Sequence, residues 1–340
     1  MVSGSNNVWC IVLAGGDGTR LRALTTRPCG TPVPKQFCSL HGGRTLLEDA
    51  IERAAGAVER ERICAIVAEQ HREWWPSALK GIPSRNIFVQ PRNRGTGIGV
   101  LYSLLRLIVL DPEASVLLLP SDHYVRDEAV LRRSLRAALE RVQRDPNTPV
   151  LLGLEPDDAD AELGYILPGD ADSYGGYRVG RFIEKPTMQV AKDIIEAGGL
   201  WNAFIVAASA RALLDLYMQR FAPVVVQMQV TLDRTLHAGL PQASAWSTLC
   251  EIYDQLPDVD FSRHILEGHE SRLRVIRVPP CGWSDLGTPR RVGETLRRLQ
   301  ITRPKHHATE THHAPEASDT FINLATQHAR VSATALTIEN

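Results

Sequence analysis

The chain has 340 residues, enough for one large or two ordinary domains, and 44% hydrophobic with 23% charged residues is the balance of a globular protein with a sizeable core. A formal net charge of −1 supplies no general attraction to nucleic acid or to a membrane surface, so any anion must be bound by local clusters. No run approaches the roughly 18 apolar residues of a spanning helix, no cationic or apolar leader precedes the first strand, and the six cysteines lack any CxxC pairing; together these predict a cytoplasmic protein with reduced thiols.

In chain order, the run Val8–Ala14 is apolar throughout, which predicts a central strand covered on both faces. Gly15, Gly16 and Gly18 follow, and backbone without Cβ atoms can turn sharply and bring its N–H groups close to an anion. A tight turn would explain the glycines alone. The added Arg20, Arg22 and Lys35, within Thr19-Arg20-Leu21 and Pro34-Lys35-Gln36, point instead to a phosphate-handling loop. Two commoner loops fail on spacing. A Walker A loop requires GxxxxGK[ST], and no Lys-Ser or Lys-Thr follows these glycines; a dinucleotide loop requires GxGxxG, and the third glycine position is Leu21.

Helical spacing over 44–54, a strand over 63–68, a helix over 71–79, a strand over 87–89, a helix over 98–109 and a strand over 116–119 then alternate. Such alternation predicts a mostly parallel sheet with its ligand in the crevice beyond the strands' carboxyl ends. Asp122, in Pro120-Ser121-Asp122-His123, leaves the 116–119 strand at that edge, a suitable place for a metal. The basic amphipathic stretch 128–143 reads as a helix whose arginines form a solvated face, and 150–154 as another buried strand. From Glu155 shorter strands, 165–167 and 177–183, alternate with turn residues and predict an insertion lying over the first half. Phe182-Ile183-Glu184-Lys185-Pro186 ends the second of them with an acid and a base whose side chains point apart, which favours two ligand contacts over a mutual salt bridge. A helix over 189–197, a strand over 200–207, a helical region over 210–253, an edge-like strand over 273–278 and a helix over 289–299 complete the order.

Leu13-Ala14-Gly15-Gly16-Asp17-Gly18-Thr19-Arg20-Leu21 and Pro34-Lys35-Gln36-Phe37 resemble the LAGGxGTRL and PKQ signatures of the sugar-1-phosphate nucleotidyltransferases, the form PKQF being similar to the mannose-1-phosphate guanylyltransferase branch. Pro120-Ser121-Asp122-His123, Gly164-Tyr165-Ile166, Phe182-Ile183-Glu184-Lys185-Pro186, Trp201-Asn202 and Trp283-Ser284-Asp285-Leu286-Gly287-Thr288 carry the resemblance over residues 8–299. It implies that Arg20 and Lys35 act catalytically on the triphosphate, and that Leu13, Ala14, Gly15, Gly16, Gly18, Thr19, Gln90 and Asp122 bind the nucleotide. It further implies that Gly164, Glu184, Lys185 and Asn202 bind the sugar phosphate, with Lys185 on the phosphate and Glu184 on hydroxyls. Asp122 and Asp285 are implied ligands of Mg²⁺, a hard cation suited to carboxylate oxygens. There are departures: the loop between Leu24 and Pro34 is longer, Trp201-Asn202-Ala203-Phe204 stands where the family has WNSG, and the segment after the third strand is altered at Gly95.

The resulting expectation is an α/β protein with a mostly parallel Rossmann-like sheet, helices on both faces and an inserted sugar-binding α+β region. One nucleotidyltransferase domain is expected over 1–302, its nucleotide part about 1–154 and its sugar part about 155–302, followed by a polar tail over 303–340 that reads as disordered. The activity implied is Mg²⁺-dependent transfer of a nucleotidyl group from GTP to mannose 1-phosphate, giving GDP-mannose and pyrophosphate. The alternatives are another hexose- or heptose-1-phosphate, or a sugar-nucleotide-binding regulator without turnover. The partners expected are small-molecule substrates, not nucleic acid or membrane, with homo-oligomerisation left open.

Overall fold

A computed structural model describes residues 7–237, 241–302 and 322–328. The first half alternates as its apolar periodicity requires. Strand β1 (Val8–Ala14) leads through the one-turn α1 (Arg22–Thr25) to α2 (Leu46–Ala55), β2 (Ile63–Ala68), the one-turn α3 (Trp75–Ala78), β3 (Ile87–Gln90), α4 (Gly95–Leu110), β4 (Ser115–Pro120), α5 (Glu128–Arg144) and β5 (Val150–Leu154). The second half holds β6 (Gly164–Ala171), β7 (Tyr177–Glu184), α6 (Met188–Glu196), β8 (Leu200–Ser209), α7 (Ala210–His237), α8 (Gln242–Gln255), β9 (Arg274–Val278) and α9 (Pro289–Thr302). Local signals set the boundaries. Thr45 and Glu48 form a reciprocal capping box at the start of α2, Asp127 caps α5, and α7 is kinked at Phe221, just before Pro223.

The nine strands among the described residues join one sheet in the order β3-β2-β1-β4-β8-β5-β9-β7-β6, with β8 also touching β6. Pairing is parallel through β3-β2-β1-β4 and between β5 and β9, and antiparallel elsewhere. The α/β class therefore holds, with the parallel part concentrated in the first half. Two details differ from expectation. The stretch after Glu155 continues the same sheet instead of lying over it, and β9 is an interior strand because β5 and β7 pair with it on either side.

Strand alternation splits the core between the two faces. Cys10, Val12 and Ala14 of β1 belong to the core shared with α2 and α5, while Trp9 and Ile11 belong to the one shared with α4, α7 and α8. Completely buried residues such as Leu47, Leu135, Leu104 and Leu213 join helices to the sheet, each contributing roughly 1.5–3 kcal/mol. The solvated face predicted for α5 holds for Arg132, Arg133 and Arg136 but not for Arg141, which is buried and pairs with Asp172 at 2.8 Å.

Part of the tail also corrects the sequence reading. Residues 322–328 return to the loop after Lys35: Ser39 N–H donates to the Ile322 carbonyl at 2.8 Å, and Leu324 N–H to that of Ser39 at 2.8 Å. Ile322 and Leu324 are buried, so this segment has the apolar side chains that the polar stretch before it lacks. The rest of the tail predicted as disordered, 303–321 and 329–340, lies outside the described residues.

Candidate functional site

The carboxyl ends of β1, β3, β4 and β7 open on one cleft of about 540 Å³, together with the amino ends of the antiparallel β6 and β8. Leu13, Gly15 and Gly16 border it from β1, Gln90 from β3, Asp122 and His123 from β4, Glu184 and Lys185 from β7, Gly164 from β6 and Asn202 from β8. Sequence distance is erased because the topology sends each strand's functional end to the same edge.

The glycine loop is shaped by close approach. A Cβ on Gly15 would fall 2.3 Å from Nε2 of Gln90, and one on Gly18, whose φ is +60°, would fall 2.9 Å from the backbone nitrogen of Lys35. Gln36 donates through Nε2 to the carbonyls of Ala14 and Gly16 at 3.0 and 2.8 Å, and the Ser121 hydroxyl donates to that of Leu13 at 2.6 Å. Asp17 accepts from Gln70 and Asn93 and faces His71; the His71 hydrogen bond, first among several, holds its carboxyl below the usual range. Arg20 reaches the cleft and pairs with Glu162 at 3.3 Å, both half exposed. Ala14, Gly18 and Thr19 shape the loop without bordering the cleft.

Lys35 sits differently from what its motif suggests. It is 5% exposed and does not border the cleft; its ammonium donates to the Asp285 carbonyl at 2.6 Å and the Leu286 carbonyl at 3.4 Å, and pairs with Oδ2 of Asp122 at 2.9 Å. The lysine thus joins the two loops that carry the aspartates. A second tie is made by Tyr124 and Ser284, which exchange backbone hydrogen bonds at 2.9 Å. A third runs from Trp283 Nε1 to His123 Nδ1 at 3.2 Å, and burial holds the His123 imidazole neutral by lowering its pKa to about 4. Asp122 resists the opposite effect of burial, because Lys35 beside it leaves its carboxyl below the usual range.

Two carboxylates on one wall suit a hard divalent cation, which commonly takes one or two protein carboxylates and completes its shell with phosphates and water. Asp122 uses Oδ2 on Lys35, and Asp285 uses Oδ1 on Arg291 at 3.1 Å, leaving one oxygen of each outside these pairs. Among the described residues no three His, Cys, Asp or Glu side chains converge as a self-sufficient metal cage. The donor set fits a cation shared with a phosphate ligand.

At the other end, burial, reinforced by repulsion from Asp260 and Glu267 and opposed by Lys185, raises the Glu184 carboxyl to about 7. Asn202 is oriented at both ends of its amide, with one donor and one acceptor position left over: Nδ2 donates to the Ser262 hydroxyl at 3.2 Å, and Oδ1 accepts from the Phe204 amide at 3.1 Å. Three non-glycine residues adopt positive φ among those described, Lys185 at 52°, Phe204 at 55° and Leu286 at 48°, at a cost of roughly 1–2 kcal/mol each. The first two border the cleft and the third follows Asp285, so the strain is concentrated at the site. The sequence reading missed the segment from Asp258 to His264, which supplies Asp258, Asp260, Ser262 and His264 to this wall. Its signal was two aspartates beside Pro257 amid apolar residues, and no periodicity marks such a loop.

The sequence model described as nucleotidyl transferase matches residues 9–300. Among curated relatives, the alginate biosynthesis protein AlgA of Pseudomonas syringae pv. tomato is 28% identical over 284 residues, 82% of this chain and 56% of the relative. The mannose-1-phosphate guanylyltransferase of Salmonella montevideo is 27% identical over 293 residues, 82% of this chain and 58% of the relative. The chain thus spans little more than half the length of these relatives. A crystal structure from Thermus thermophilus, named mannose-1-phosphate geranyltransferase, superposes with a TM-score of 0.71 at 29% identity, covering 88% of this chain and 81% of that one.

Proposed function

Because this chain belongs to the nucleotidyl transferase family, we propose that it transfers a nucleotidyl group from a nucleoside triphosphate to a sugar 1-phosphate, with GTP and mannose 1-phosphate as the first pair. The observation that carries this reading is the cleft in which the glycine loop, the two aspartates and the Glu184-Lys185 pair meet. A phosphate oxygen of the sugar phosphate attacks the α-phosphorus of the triphosphate. The new P–O bond forms as the bond to the β-phosphate breaks, and pyrophosphate leaves. The nucleophile is already an oxyanion, so the protein's task is alignment and charge neutralisation.

The glycine loop and Arg20 receive the triphosphate, and Gln90, whose Oε1 is buried without a protein partner, offers an acceptor to the base. Lys185 takes the sugar phosphate, while Glu184 and Asn202 take its hydroxyls. Asp122 and Asp285 would hold Mg²⁺, which supplies positive charge to the phosphates when bound. Lys35 keeps the two aspartate loops in register. Mannose-1-phosphate and guanylyl specificity are drawn from what the relatives are named for. All six cysteines carry free thiols, which supports a reducing, cytoplasmic location as part of the proposal.

The test is pyrophosphate release from a panel of sugar 1-phosphates and triphosphates. Turnover that requires Mg²⁺ and falls at least about 100-fold in Asp122→Asn and in Asp285→Asn, measured at a temperature where both variants remain folded although each loses its charge on Lys35 or Arg291, is the expected result. No release with any pair would reject the reading.

A further inference from the structure

Phe204 lies in an irregularity of β8. Leu151 pairs with Val206 and Gly153 with Asn202, so Ala203, Phe204 and Ile205 stand opposite the single residue Leu152. Bulges of this kind re-aim side chains beside functional sites, and their left-handed position is normally filled by glycine. Here it holds a phenylalanine at φ 55°. Packing explains only part of the choice, since the ring touches the core on one side alone. Phe261, against which the ring lies at 5.6 Å between centroids, is completely buried, whereas Phe204 is only partly buried and faces the cleft with Glu184, Lys185 and Asn202. The strained backbone therefore holds an aromatic ring that rests on the core through Phe261 and turns its remaining surface to the cleft, where a ligand would cover it.

We propose that Phe204 is a specificity-determining residue, whose ring forms an apolar wall at the sugar end of the cleft and selects sugar 1-phosphates that turn a C–H face toward it. The identity of the ligand rests on the nucleotidyl transfer reading. An aromatic face accepts the C–H-rich side of a pyranose, whereas a hydroxyl pressed against it loses its hydrogen bonds without replacement. The wall is coupled to the sugar contacts, since the Phe204 amide donates to Oδ1 of Asn202.

The test compares the unaltered protein with Phe204→Gly, which suits the left-handed backbone, and with Phe204→Asn, the side chain that best tolerates it while removing the apolar wall. Epimeric and deoxy hexose 1-phosphates are titrated calorimetrically in the presence of a non-hydrolysable triphosphate, and their kcat/KM values are measured by pyrophosphate release. The expected result is that the preference for the best sugar phosphate over the next falls about tenfold or more in both variants, while KM for the triphosphate stays within about twofold. A preference unchanged in whichever variants keep the parent melting profile, or an equal rise in KM for both substrates, would overturn the proposal. If the parent protein bound sugar phosphates but released no pyrophosphate, the transfer reading would fall while the calorimetric preference still judged the wall.

Discussion

Glu184 and the lysines at positions 35 and 185 show how neighbours redefine a side chain. The Glu184 carboxyl is raised from an ordinary 4.5 to about 7, chiefly by burial, so the folded state holds a proton that the unfolded state has lost. Its contribution to stability is therefore complete below about pH 4.5 and disappears as pH rises through about 7. In urea unfolding the apo protein should lose up to about 3 kcal/mol relative to Glu184→Gln as pH rises across that window, and parallel curves would refute the assignment. The lysines should separate kinetically. Lys185→Ala is expected to raise KM for the sugar phosphate about 10- to 150-fold with little change for the triphosphate. Lys35→Met removes a cation that Asp122 and two carbonyls share, so it should lower kcat and also stability, by about 1–3 kcal/mol given the partial exposure of Asp122. A Lys35→Met protein of parental stability would show that the lysine does not join the loops.

The C-terminal segment 322–328 acts as an element although only one helical turn of it is regular. Three backbone hydrogen bonds tie it to Ser39 and Leu40, immediately after the Lys35 motif, and Leu324 is completely buried with Phe37, Cys38 and Leu40 in the same core. Leu324→Ala should thus cost about 2–5 kcal/mol of unfolding free energy, as for other deeply buried leucines. An unchanged urea midpoint would mean that the segment is dispensable. The sequence reading folded Ile322 and Leu324 into a polar tail, because nothing local connects them to Ser39 some 280 residues earlier. By contrast, α2 was marked by the helical spacing of its own apolar residues, and β1, β2 and β5 by unbroken apolar runs.

Across the whole molecule, Arg291 of α9 ties the Asp285 loop to Asp160 and to β8 behind the cleft. Buried at 7% exposure, it pairs with Asp160 at 2.7 Å and Asp285 at 3.1 Å and lies 5.0 Å over the Trp201 ring. Removing one member of a buried ion network strands the others, so Arg291→Ala should destabilise the fold by about 3–5 kcal/mol and release Asp285 from its position. Arg291→Lys should rescue only part of this, since a point charge cannot serve both carboxylates as a planar fork does. Full rescue by lysine, judged by urea unfolding, would show that charge alone suffices.

What the amino-acid sequence determined by itself was periodic or chemical: nine strands, the helices between them, and motifs at strand ends that belong to one edge once alternation implies a parallel first half. These are local properties, readable because side-chain direction repeats along a strand or helix. Only the tertiary structure decided the interior place of β9, the buried orientation of Lys35 between the aspartate loops, the arrival of Asp258 to His264 at the cleft, and the left-handed turn that aims Phe204 into it. Each depends on partners distant in sequence, whose identity no local pattern encodes until the sheet has brought them together.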